Sequence, residues 1–432
     1  MKQRKRIRIL IWALTAALLL AGAVCPAGGE RAPWDCPECG RTGNTGNFCG
    51  GCGCPAPEEG GEANANADEY NPPEYVDQSG DFTYKARGTY ATISKYTGRG
   101  GTVFIPATLE GKPVRRIPDK LFAKEELRNV TCVVIPEGVT EIGSGLFNGN
   151  DLEEIYIPAS VVSIGDELFT LCGKLTHIRV SPENPKYTTV DGVLFTRNME
   201  TLVAYPAGRE GKEYTVPEGV KTIAGAAFSG AGIHELFLPD SLTTIGKGAL
   251  ANCESLKTLT IPAGVTAIDA NAFGTEDRSL TRIDVAAANR AYSSADGVLF
   301  DKNMTILIQY PNSREDDVYV IPDTVTFINR NAFEHSRYLR QITLSAGLTN
   351  IIDYLFNDCR LERAEIPEGI IGIGNYAFGK SPGIHVVIPA SVTMIGKDAF
   401  AGCGDYTIEG KKGSYAEEYA KANGASFVRL TK

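Results

Sequence analysis

The sequence predicts a β-rich α/β repeat fold: a solenoid of about twelve coils with two inserted β-hairpins and a C-terminal cap. Three observations carry that expectation. A 22-residue pattern, L-x-x-I-x-I-P-x-x-V-x-x-I-G-x-x-(A/L)-F-x-x-(C/N), recurs toward the C-terminus. Two longer steps hold the related stretches NPKYTTVDGVLFTRNMETLVAYP and NRAYSSADGVLFDKNMTILIQYP, 105 residues apart. The final stretch, GKKGSYAEEYAKANGASFVRL, leaves the pattern and reads as a helix followed by a strand.

One repeat, Leu152 to Cys172, shows the logic. Ile155 and Ile157 point one way from a strand, Glu154 and Tyr156 the other. Pro158 ends the pairing because it has no N–H to donate. Val161 and Ile164 turn inward again. Gly165 begins a bend, and Asp166 to Cys172 reads as one helical or 3₁₀ turn burying Phe169 and Cys172. Ordering one such coil costs more backbone entropy than its own few apolar side chains return, so stacked neighbours must share a core with it.

The residue after each strand marks the coils, from Pro106 and Pro136 to Pro389. Most steps are 22 to 24 residues; the first is 30 and two are 36. Eleven residues past most anchors sits a buried aromatic, as Phe169, Phe228 and Phe378 illustrate. In the two long steps, Asp191-Gly192 and Asp296-Gly297 lie between apolar runs, which signals a tight hairpin or meander. The repeating glycine (Gly143, Gly165, Gly246, Gly374, Gly396) reads as a turn requirement. Pro118 and Ile352 fill the same slot, so positive φ is not obligatory there. The recurring Cys172, Cys253, Cys359 and Cys403 read as small core residues. In the cap, residues 411–432, Ser414 is placed to start a helix running to about Asn423, Gly424 to stop it, and Phe427 to Leu430 to add a last strand.

Ahead of the solenoid, 81–410, the chain has three parts. Residues 1–23 combine a basic start with an apolar run and read as a secretory signal cleaved after Ala23, or as an uncleaved membrane anchor; lipidation at Cys25 is a third reading. All three put the rest of the chain outside the cytoplasm. Residues 34–55 hold Cys36-x-x-Cys39 and Cys49-x-x-Cys52, a four-thiolate spacing that suits a closed structural zinc site. Disulfides stay open as the alternative, since an exported protein meets oxidising conditions, and Cys54 adds a fifth thiol. Residues 56–80 read as a disordered acidic linker rich in Pro, Asn and Gly. The net charge of −9 argues against nucleic acid as a partner, and membrane contact is expected only through the N-terminal segment if it stays uncleaved.

Two resemblances follow from these residues. Cys36-Pro37-Glu38-Cys39-Gly40 with Phe48-Cys49-Gly50-Gly51-Cys52-Gly53 resembles the short zinc-ribbon family. The I-P strands, the V-x-x-I-G-x-x-A-F-x-x-C turns and the N-P-x-Y…D-G-V-L-F…Y-P interruptions, over about residues 82–430, resemble the BspA-like family of bacterial leucine-rich-repeat proteins. That likeness implies a curved solenoid on an exported or surface protein, with adhesion or ligand binding in some members, and it transfers no catalytic residues. No sequence motif here spells out a reaction, so an enzyme is not expected.

The outward strand positions form one sheet face, and its aromatic and charged residues are the candidate contacts for an extracellular protein or glycan: Phe104, Tyr156, Arg179, Phe237, Arg282, Asp284 and Arg363. The expected function is macromolecular binding or adhesion; the alternative is a cell-envelope structural protein that binds its own wall glycans. For the cysteine cluster, metal analysis with thiol counting should find one zinc per chain and no disulfide among Cys36, Cys39, Cys49 and Cys52. Two bridges and no metal would contradict the zinc reading.

Overall fold

The computed structural model describes residues 69–430, apart from 124–126, 128, 270 and 275–278. It is a β-solenoid of about fourteen turns. Twelve of them carry the anchors visible in the sequence. The other two, with strands Thr407–Gly410 and Ser426–Arg429, have no anchoring proline and lie at the C-terminal end.

Each regular coil lays one strand on a broad parallel wall. Gly101–Phe104, Val130–Val134, Glu154–Ile157 and His177–Val180 form its first sheet. Glu213–Thr215 pairs with Glu235–Phe237, and Thr258–Ile261 with Arg282–Val285. A six-stranded sheet from Val318–Val320 to Ser426–Arg429 completes it. The register puts like on like: Val133 faces Ile155, which faces Ile178, so the inward side chains form continuous apolar rows. A second wall consists of two-residue strands such as Glu141–Ile142, Ser163–Ile164 and Gly372–Ile373, built on the second inward isoleucine.

The repeating glycine sits on this second wall, and its purpose is spacing. None of Gly143, Gly165, Gly246, Gly374 and Gly396 is in the left-handed region. An added Cβ at Gly165 would lie 2.5 Å from the Ser144 nitrogen of the previous coil; at Gly374 it would lie 2.5 Å from the Asp353 nitrogen. The backbones approach because the glycine N–H donates across the coils, from Gly165 to the Ile142 carbonyl and from Gly374 to the Ile351 carbonyl (2.8 Å each). Positive φ falls elsewhere. It occurs two residues before and two after the buried aromatic, at Glu167 and Leu171 around Phe169. The stretch expected as one helical or 3₁₀ turn is therefore a run of tight turns, since two left-handed residues prevent a helical turn from closing.

Aromatics stack along the core. Phe122, Phe147 and Phe169 lie 5.4 and 5.7 Å apart and nearly parallel; Phe356, Phe378 and Phe400 repeat this at 5.4 and 5.5 Å. Tyr205 and Tyr310 take the aromatic slot next to Phe228 and Phe333, after the two inserted meanders. Those meanders are Tyr187–Val190, Val193–Thr196 and Thr201–Ala204, and Tyr292–Ala295, Val298–Asp301 and Ile306–Gln309. Asp191-Gly192 and Asp296-Gly297 turn them with positive φ at both residues, as a two-residue hairpin requires. Asn184 and Asn289 hold each entry by donating to two carbonyls of the preceding coil.

Both ends are closed. The antiparallel pair Phe82–Arg87 and Tyr90–Tyr96 buries Phe82, Ile93 and Tyr96 against the first coil, with Tyr96 5.4 Å from Phe122. At the other end the helix Tyr415–Asn423 buries Ala416, Tyr419 and Ala420, and Gly424 stops it at φ 71°. Ser414 stands at its N-cap but makes no side-chain cap bond; Glu417 accepts the Gly413 N–H instead (2.6 Å). Among the described residues no helix is long and apolar enough to cross a membrane.

The spacing role of glycine is testable by thermal unfolding. Gly374→Ala should lower stability by about 1–3 kcal/mol, because the neighbouring backbone must shift. Gly232→Ala, where an added Cβ meets nothing within 4 Å, should stay within about 0.5 kcal/mol of the parent. Equal melting of the two variants would contradict it.

Candidate functional site: the outward sheet face

Strand alternation puts every second side chain of the broad wall outside. The seven candidate residues all lie on its strands, but in three different settings.

In the first sheet, Phe104, Val134, Tyr156 and Arg179 form one outward row across the four strands. Here the expectation of open contacts needs correction. Phe104 is 4% exposed and Tyr156 5%, because residues 69–78 lie across them. Tyr70 meets Tyr156 edge-on at 5.9 Å, and Tyr75 meets Phe104 at 5.6 Å. Arg179 Nη1 donates to the Glu69 carbonyl (2.7 Å), and its Nε to Glu154 (2.5 Å). Gln78 reaches the free edge of the first strand, donating to the Thr102 carbonyl and accepting the Phe104 N–H, both at 3.0 Å. The described part of the stretch expected as a disordered linker, residues 69–80, is thus a strap on the sheet. Burial pushes the hydroxyls of Tyr70 and Tyr156 up to about 12, with Glu137 and Glu154 adding to the shift. Cys132, also outward and buried, is pushed up to about 12 chiefly by desolvation.

In the middle of the face the wall is open. Glu235–Phe237 and Thr258–Ile261 are not paired with each other, and a cavity of about 480 Å³ lies between them. Glu235, Phe237, Asp240, Thr258, Thr260 and Pro262 line it. Phe237 is 50% exposed at its rim. Arg282 and Asp284, on the next strand, bind each other at 2.7 Å and stay exposed. An aromatic ring beside hydroxyls and carboxylates offers a stacking surface flanked by donors and acceptors.

Toward the C-terminus the face is a charged lattice. Arg363 pairs with Glu365 (3.0 Å) and approaches Glu409 (3.9 Å), which also meets His385 at 2.9 Å. Val318 and Val320 add an exposed apolar pair on the first strand of this sheet.

The recurring cysteines lie in the core, away from this face. Cys172 Sγ donates to the Phe147 carbonyl (3.1 Å), and Cys253, Cys359 and Cys403 repeat the contact with Phe228, Phe333 and Phe378. The slot is thus a coil-to-coil hydrogen bond as well as a packing position. Burial pushes the thiols of Cys172 and Cys359 up to about 12, far from a nucleophile's range. Among the described residues no group of three or more His, Cys, Asp or Glu is arranged to hold a metal ion. Cys36, Cys39, Cys49 and Cys52 lie outside the described residues.

Sequence reading missed the strap, although Tyr70 and Tyr75 flank Pro72-Pro73 in it. Two aromatics and two prolines in ten residues were the available signal. It also missed Val134 and Cys132, which share the covered row and its neighbour.

Comparison with known proteins agrees with the geometry. The family model for the BspA type leucine rich repeat region matches in six copies over residues 106–202, 208–295 and 316–415. A leucine rich cell surface protein from Faecalibacterium prausnitzii A2-165 is 30% identical, with a TM-score of 0.51, over 82% of this chain and 98% of its own. The pneumococcal vaccine antigen PcpA is 17% identical, with a TM-score of 0.40, over 83% of this chain and 99% of its own. A leucine-rich repeat protein from Eubacterium ventriosum is 20% identical, with a TM-score of 0.40, over 73% and 90%. No protein of curated function matches the chain. The chain belongs to the BspA-type leucine-rich-repeat family.

Proposed function

We propose that this BspA-type leucine-rich-repeat protein works outside the cytoplasm, at the cell surface, and binds a protein or glycan through the open middle of its sheet face. The carrying observation is Phe237, half exposed at the rim of the 480 Å³ cavity where two wall strands fail to pair. An aromatic anchor next to a cavity concentrates binding energy in few residues. Thr258, Thr260, Glu235 and Asp240 supply polar contacts around it, and the Arg282–Asp284 pair lies on the adjoining strand. Phe104 and Tyr156, being covered, are not contacts of this open surface. The secretory-type N-terminal sequence and the surface location named for the Faecalibacterium protein support the extracytoplasmic setting.

The test is side-by-side binding of the full chain to extracellular-matrix glycoproteins and to purified bacterial cell wall. Phe237→Ala should weaken retention at least about tenfold on whichever surface is bound, equivalent to about 1.4 kcal/mol. Retention on matrix proteins fits a role in adhesion; retention on cell wall alone fits an envelope role. Retention that ignores Phe237→Ala, or binding to neither, would contradict the proposal.

A further inference from the structure

The strap over the first sheet belongs to no coil. The buried apolar residues of the solenoid begin at Phe82, after it, and residues 71–77 are exposed along their whole length. Tyr75 and Val76 remain 58% and 56% exposed where they lie. What the strap covers is different in kind. Phe104, Val134 and Tyr156 stand side by side on three neighbouring strands, and without the strap they form one apolar strip ending at the Arg179–Glu154 pair.

The contacts are those of peptide recognition. Two tyrosines five positions apart dock edge-on to two aromatics two strands apart. An extended five-residue stretch reaches about 15 Å, and two strand spacings are about 10 Å, so the peptide crosses the strands without strain. Pro72-Pro73 hold the piece between the tyrosines extended and lower the entropy lost on docking. Both ends are fixed by polar bonds: Arg179 to the Glu69 carbonyl, and the Gln78 amide to the open edge of the first strand. The strap carries Glu69, Glu74 and Asp77 and no basic residue, which complements Arg179.

We propose that this end of the sheet face is a receptor for an extended, acidic peptide bearing tyrosines and prolines, and that the chain's own residues 69–78 occupy it. A partner presenting such a segment binds by displacing the strap. Because the strap is tethered beside its site, its local concentration is on the order of millimolar, and it keeps weak competitors out. The site is separate from the cavity at Phe237 and does not depend on what the open middle of the face binds.

The probe is a fluorescein-labelled synthetic peptide of residues 69–78, EYNPPEYVDQ, followed by fluorescence anisotropy. The receptor is the full chain, either intact or carrying Tyr70→Ala, Tyr75→Ala and Gln78→Ala together. The peptide should bind the triple variant at least tenfold more tightly than the intact chain, and a peptide with both tyrosines replaced by serine should lose that binding. The variant should keep the melting temperature of the intact chain, since the strap lies outside the core. Absence of saturable binding to the variant would overturn the proposal, as would equal affinity for both receptors or equal binding of the serine peptide. A large drop in melting temperature would overturn it too, by making the strap part of the fold.

Discussion

The hydrogen bond from one coil to the next at the repeating glycine sets the structure's period. Gly143, Gly165, Gly246, Gly374 and Gly396 each donate to an isoleucine carbonyl one coil earlier, over 2.7 to 2.9 Å. A Cβ built on Gly165 or Gly374 would press into the preceding backbone, whereas at Ala224, Asp269 and Asn329 the same slot donates at 2.9 Å with a side chain in place. The buried aromatics then fall at stacking distance, and the cysteine slot meets a carbonyl of its neighbour. A coil taken alone has none of these partners, and backbone entropy would unfold it.

A fixed coil spacing turns a one-dimensional pattern into a surface. Outward residues of successive strands become neighbours, so Phe104, Val134, Tyr156 and Arg179 share a row although they are spread over more than seventy positions of the sequence. The same regularity makes departures conspicuous. One is the unpaired step between Glu235–Phe237 and Thr258–Ile261, which opens a cavity. The other is the strap, which closes a stretch that periodicity alone leaves open. Function on a solenoid is carried by such departures, because the repeat itself is devoted to stacking.

The repeat, the two meanders and the terminal helix were legible in the sequence because each rests on local chemistry: strand alternation, Asp-Gly turns at Asp191 and Asp296, and a glycine stop at Gly424. What was not legible rests on contacts between coils or over long separations. The glycine slot looks like a turn position until the backbone of the previous coil is set beside it. Glu167 and Leu171 adopt positive φ although neither residue type advertises it. The last two turns lack the proline that marks nine of the other twelve. The candidate face was legible as a face, but which residues are open was not. Tyr156 and Phe237 occupy equivalent outward positions, and only the strap, placed by tertiary contacts, makes one buried and the other half exposed.

The central claim, that neighbouring coils hold each other by a fixed backbone period, is tested most directly by thermal unfolding of two deletions followed by circular dichroism. Removing residues 342–363 takes out one 22-residue step and lets Ala364 assume the register of Ile342, its partner in the ladder. Removing residues 342–352 takes out half a coil and sets every later strand against the wrong neighbour. The account predicts a cooperative transition and parent-like β-sheet signal for the first deletion, and loss of both for the second. Equal behaviour of the two, whether both folded or both collapsed, would contradict it.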